Sequence, residues 1–271
     1  MAFHGVLAQL TLAFTVSGAS HPSPTLVPAE PLPQDTDRDG VSDRVELARG
    51  TDPQTHGIFP GAYPHIPEPM MFDLVRGLGA KKGEFEFNTL VWAQFQPYGG
   101  VAWAPEIEWA SADRYALEFE LPMKDGHVEA LKLAIQGTMA EARPQFIHGW
   151  QVIGEARLRD RAFEATALYL AGRRLGKRVS LFGMLGPQAR ARAEGVHVSL
   201  VANPSLFVDL HEILTIGVEN NGVIDGVRSR GRVVPQLHVQ VHRHVRLQLG
   251  GGVEVSREGV APIAALRAVI E

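Results

Sequence analysis

The chain has no cysteine among its 271 residues. That excludes a disulfide framework, a thiolate metal site and a cysteine nucleophile. It also lacks any uninterrupted apolar stretch of about eighteen residues or more, which argues against a helical membrane span. Nor is there a large charge excess: 26 Lys+Arg face 30 Asp+Glu, a formal net charge of −4, so bulk charge does not point to nucleic acid. Turn-forming residues are plentiful instead. The 28 glycines and 18 prolines favour many turns over long helices. A 45% hydrophobic content excludes a disordered chain, and the length permits one or two domains.

Residues 1–19 carry no Lys, Arg, Asp or Glu. An apolar run from Val6 to Val16 precedes Ser17-Gly18-Ala19, the small residues a signal peptidase reads. Residues 1–19 therefore read as an export signal. Residues 20–34 hold five prolines and read as an extended linker.

The next twelve residues, Asp35 to Glu46, read DTDRDGVSDRVE. Asp35, Asp37 and Asp39 occupy loop positions 1, 3 and 5, with Gly40 at the sharp turn. The Val41 carbonyl, Asp43 and Glu46 follow at positions 7, 9 and 12. Alternate acids on a tight loop aim hard oxygens inward, which suits Ca2+ better than Mg2+. No helix can enter this loop through the Pro-rich linker. A solvated acidic turn is the plainer alternative. With Gly50-Thr51-Asp52-Pro53, residues 35–53 resemble a single thrombospondin type 3 repeat. That resemblance implies calcium held by Asp35, Asp37, Asp39, Val41, Asp43 and Glu46, with a structural role in the linker.

Residues 54–83 read as a connector, with a short amphipathic helix over Met70–Leu78. Such a helix is too short to stand alone and needs a partner surface. From Glu84 onward the pattern alternates with a period of two. Phe85, Phe87, Thr89, Val91, Ala93 and Phe95 share one face, and Glu86 and Asn88 lie on the other. Similar runs recur at 101–110, 115–122, 128–138, 147–158, 163–173, 178–188, 195–203, 206–219, 233–241, 245–255 and 262–271. The expected fold is all-β: an antiparallel transmembrane barrel of about twelve strands (10–12) over residues 84–271, behind a short, mostly irregular calcium-loop segment. Tight turns near 112–113, 175–176 and 242–243 contrast with longer connections at 123–127, 220–232 and 256–261. An even strand count with both termini on the short-turn side places the calcium segment in the periplasm.

The runs Ala104-Pro105-Glu106-Ile107-Glu108-Trp109 and Asp113 to Pro122 make this region similar to bacterial outer-membrane barrels of the meta-pathway-of-phenol-degradation, transporter-like type. The resemblance implies a non-enzymatic barrel in the cell outer membrane. Its expected partners are outer-membrane lipid, the barrel-assembly machinery and a small polar solute. Trp92, Tyr98, Trp103, Trp109, Tyr115, Trp150 and Tyr169 fall mostly near strand ends, as interfacial girdles require.

Inward acids would be Glu84, Glu86, Glu106, Glu108, Glu118 and Glu120. Inward bases would be Lys132, Arg157, His238, His242, Arg246 and Arg267. Closing the sheet then gives either a transverse field across a pore or a charge-paired plug. Three weaker constellations are His197 with Ser199, Asp209 with His211 and Glu212, and His238 with His242 and His244. The first would suit a lipid-modifying barrel enzyme, and the other two a metal. A secreted, calcium-stabilised β-sandwich binding module would share the same strand period.

Overall fold

The computed structural model describes residues 34, 36, 42–44, 53–54, 64–72, 74–95, 99–139, 145–226, 229–257 and 259–271. Residues Pro33–Glu271 fall in one compact unit. The expected signal 1–19, nearly all of the linker and every expected calcium ligand except Asp43 lie outside the described residues.

Fourteen strand elements follow in chain order: β1 (Phe85–Gln94), β2 (Gly100–Ala112), β3 (Tyr115–Glu120), β4 (Met123–Lys124), β5 (His127–Val128), β6 (Ala130–Thr138), β7 (Phe146–Arg157), β8 (Ala162–Leu175), β9 (Val179–Arg192), β10 (Gly195–His211), β11 (Leu214–Ile224), β12 (Arg230–His242), β13 (Val245–Ser256) and β14 (Gly259–Ile270). Sequential neighbours pair antiparallel, and β1 pairs with both β2 and β14, which closes the sheet. Closure leaves no sheet edge.

Four of the elements are halves of two strands. Glu106 faces Glu120 across β2 and β3, and Trp103 faces Met123 across β2 and β4, in one unbroken register. Pro122, without an amide hydrogen, marks the break. Opposite it, the Pro122 carbonyl accepts from Glu129 N at 2.8 Å and Ala130 N at 3.4 Å, a bulge between β5 and β6. The result is a barrel of twelve strands.

Alternation along each strand separates two surfaces. Phe87, Ile107, Leu117, Leu133, Val152, Leu185, Leu249 and Leu266 are exposed on the outside. Glu86, Asn88, Gln136, Gln151, Asn203, Gln236 and Gln248 are buried on the inside. Apolar-out, polar-in is the pattern of a barrel that meets hydrocarbon.

Several boundaries differ from the sequence expectation. Asn203-Pro204 does not divide two strands: β10 runs through it, with Asn203 opposite Met184 and Ser205 opposite Phe182. Pro204 points outward, where its missing amide removes a ladder bond without disturbing the interior. The true turn lies at Glu212-Ile213. The 123–127 connection is not a long loop. Asp125 (φ 49°) and Gly126 (φ 81°) form a two-residue turn with both dihedrals positive, as a right-twisted hairpin favours. The expected contrast of short turns against long loops is also lost. The longest connection, 139–145, lies on the side of the barrel that holds Phe85 and Ile270, the side expected to be short-turned.

Met70–Leu78 is not a helix; its described residues form bends and a turn. The partner surface it needs is the barrel lumen. Met70, Leu74 and Val75 are fully or almost fully buried there. Leu74 and Val75 pack with Leu168, Leu170, Phe182, Met184 and Phe207. Met70 packs with Leu90, Val234 and Ile263. Each such side chain contributes about 1.5–3 kcal/mol on leaving water. The core of this protein is therefore the contact between an irregular segment and the barrel wall around it.

Candidate functional site

An irregular backbone inside a barrel must find its hydrogen bonds on the wall. Segment 64–80 does so at several inward positions. Glu219 on β11 accepts three amides: Met70 N at 2.8 Å and Met71 N at 3.0 Å on Oε2, and Phe72 N at 2.9 Å on Oε1. Asn221 Nδ2 donates to the same carboxylate at 2.8 Å. Gln136 Nε2 donates to the Arg76 carbonyl at 2.5 Å, and Gly79 N donates to Thr138 Oγ1 at 2.9 Å. Arg267 Nη1 donates to the Pro69 carbonyl at 3.3 Å. The segment's backbone groups are thus met by side chains of the wall.

Two wall glycines make room for the segment. A Cβ at Gly250 would strike the Met70 methyl, and one at Gly172 would lie 2.9 Å from Ile66 Cγ1. Both face inward, so the segment's side chains fill places where the wall has none.

The expected lumen acids, with Lys132, Arg157, Arg246 and Arg267, are paired, whereas His242 lies at an exposed turn and His238 is buried without an ion pair among the described residues. Arg267, fully buried on β14, lies 3.4 Å from Glu106, 3.7 Å from Glu108 and 3.8 Å from both Glu68 and Glu86. Arg76 of the segment reaches Glu84 at 3.4 Å and Glu86 at 3.3 Å. Lys132 bridges Glu118, at 2.9 Å, and Glu120. Acids and bases sit on neighbouring strands, β14-β1-β2-β3-β6, so they neutralise one another side by side. Across this part of the lumen the arrangement is a charge-paired plug rather than a transverse field. Among the described residues, Glu106, Glu108 and Glu118 are the one group close enough to hold a metal together, and the Arg267 and Lys132 cations already stand beside them.

The segment divides the lumen into two chambers that share no lining residue. The inner one, about 210 Å³, is bordered by Leu74, Arg76, Glu84, Arg246 and Glu271, on the side of the barrel with Phe85 and Ile270. The outer one, about 300 Å³, has Met71 and Phe72 for a floor. Lys132, Arg157, Arg190, Arg230 and Arg232 line it together with Glu120, Glu155 and Glu164. Arg232 also stacks 4.6 Å from the Trp92 ring centroid. Trp92 thus faces inward and does not join an interfacial girdle, whereas Trp103, Trp109, Tyr115 and Tyr169 lie on the outer surface.

Glu219, Arg190, Arg230, Arg232 and Glu164 were not among the expected lumen residues. Arg190 and the two later arginines lie beyond the expected strand ends at 188 and 233, where they read as loop. The detectable signal was parity: Arg190 continues the inward register of β9, and Arg230 and Arg232 that of β12.

The weaker constellations are dispersed. Ser199 Oγ donates to Gln188 at 3.4 Å, while His197 Nδ1 faces Asp225 at 3.7 Å. Asp209 pairs with Arg174 at 2.6 Å, and Glu212 with Arg44 at 3.5 Å. His242 and His244 have ring centroids 5.8 Å apart at an exposed turn, while His238 is buried against Phe207. Asp43 receives Thr36 N and Thr36 Oγ1, each at 2.6 Å.

Comparison with known proteins agrees on the fold. The HAEPLYID-like family model matches residues 64–142, less than a third of the chain. The matched span includes the lumen segment and strands β1 to β6, and stops short of Glu219 on β11. No curated protein matches the sequence. Among solved structures, the NanC porin is similar with a TM-score of 0.56 at 6% identity, covering 68% of this chain and 99% of that one. An outer-membrane channel from Pseudomonas putida F1 is similar with a TM-score of 0.55 at 12% identity, covering 79% of this chain and 99% of that one. The chain has the fold of outer-membrane channel barrels.

Proposed function

We propose that this protein is an outer-membrane channel for small polar solutes, held shut by its own segment 64–80. The observation that carries the reading is the lumen segment itself, with a solvent chamber on each side. The closed sheet, the apolar outer face and the fold shared with channel barrels support membrane insertion and contact with outer-membrane lipid. Insertion would use the barrel-assembly machinery. About twelve strands enclose a narrow lumen, so a segment of this size blocks it, and passage requires the segment to move. The even strand count puts both barrel ends on one side, which we assign to the periplasm.

The segment continues N-terminally into the acidic loop Asp35–Glu46. We assign that loop to calcium, held by Asp35, Asp37, Asp39, the Val41 carbonyl, Asp43 and Glu46. A bound ion would stiffen the chain leading into the lumen. Bilayer conductance tests the channel: the intact chain should be closed, and a chain lacking 64–80 open. Two silent proteins, both correctly folded, would favour a purely structural envelope role.

A further inference from the structure

The outer chamber carries a feature that a passive water-filled gap does not require. Five cationic side chains line it beside Glu120, Glu155 and Glu164, and two further carboxylates, Glu118 and Glu254, reach the same cations from outside the lining. Most of those cations have partners. Arg190 holds Glu164, Arg232 holds Glu254, Arg157 holds Glu155 at 2.8 Å, and Lys132 holds Glu118 and Glu120. The Arg230 side chain, exposed at the strand start, makes no hydrogen bond or ion pair with any described residue. It is the first residue of β12 and shares the inward face with Arg232. The charges acting on it are Arg232 and Arg190, of like sign, and Glu254 and Glu164, both already held by those two arginines. Open to solvent and beside two like charges, this guanidinium is placed to take an anion from solution. The chamber's floor is apolar, formed by Met71 and Phe72 of the plug.

We propose that the outer chamber is a binding site for a small organic anion, its acidic group on Arg230 and its carbon body on Met71 and Phe72. A chamber of about 300 Å³ is at the small end of ligand pockets, which limits the ligand to one compact molecule. The inference deepens the channel reading by naming a solute class, and it rests on that reading for its physiological meaning. It also gives the floor a role: a ligand seated there touches the residues whose amides Glu219 holds.

Hexanoate is a suitable probe, with hexylamine and hexanol as controls of equal length. Calorimetry on the full-length protein in detergent at low ionic strength should show saturable one-to-one binding of hexanoate alone. Arg230→Gln should weaken it at least tenfold while leaving the heat-dependent gel shift of a folded barrel intact. Added salt should weaken it as well. Absence of saturable hexanoate binding, equal binding of all three probes, or unchanged binding in the folded variant would each overturn the site. Conductance of the chain lacking 64–80 reads the channel separately. Steady conductance without hexanoate binding sinks the site alone, and binding without conductance sinks the channel alone.

Discussion

Oε2 of Glu219 accepts the amide of Met70 at 2.8 Å, across 149 residues of sequence. Glu219 is fully buried, and among the described residues no cation pairs with it. Backbone amides of the plug, with Asn221, take the place of a counter-ion. The barrel thus holds the plug through a carboxylate that takes three of its four hydrogen bonds from the plug.

Removing that charge should therefore loosen the plug and spare the barrel. Hydrogen bonds to a charged group contribute about 1.5–3 kcal/mol each. Glu219→Ala should shift the plug equilibrium by about 3 kcal/mol, or on the order of a hundredfold. Open-channel events in a bilayer should increase accordingly, with an unchanged heat-dependent gel shift. Equal opening frequencies in the two proteins would remove Glu219 from the gate.

Gly250 offers a steric test of the same contact. A side chain there meets the Met70 methyl, so Gly250→Val should push the segment out. Met70→Ala in the same chain should let it return, which a double-mutant cycle would register as coupling between the two sites. The absence of native cysteine makes the readout clean: a single Val75→Cys, at a fully buried position of the segment, should be protected from maleimide in the parent, reactive with Gly250→Val, and protected again in the combined variant.

Arg267 is the fully buried cation beside Glu68, Glu86, Glu106 and Glu108. Removing one partner of a buried charged group typically costs about 3–5 kcal/mol. Arg267→Ala should lower thermal stability by that order, and acidification, which discharges the carboxylates, should recover part of the loss. Arg267→Lys should retain the charge and only part of the geometry.

The calcium loop is tested by titration. The full-length protein should bind one calcium ion in a calorimeter, and Asp35→Ala should abolish the heat. A flat titration of the parent would remove calcium from this account.

The fold was legible because a barrel repeats one simple code. Phe85, Phe87 and Val91 against Glu86 and Asn88 settle which face is which, and each later strand repeats the alternation. The strand ends were less legible. Asn203-Pro204 carries a strong turn signature, yet neighbours on both sides, β9 and β11, keep β10 extended through it. Local propensity lost to pairing that spans the whole sheet. Three arginines of the outer chamber were hidden by the same boundary errors. The plug was hidden for a different reason. Its residues show a helix-like stripe, Met71, Leu74, Val75 and Leu78, but their hydrogen-bond partners are Glu219, Gln136 and Thr138, far along the chain. No local pattern reports such distant acceptors. The inward glycines were the one available clue, since Gly172 and Gly250 leave room on the wall for Ile66 and Met70.

The most direct measurement is conductance in a planar bilayer, comparing the intact chain with one lacking residues 64–80, each first shown to be a heat-modifiable barrel. A channel closed by its own segment gives a silent parent and a steadily conducting deletion. Equal conductance in both would mean that the segment does not close the lumen, and silence in both would mean that this barrel is not a channel.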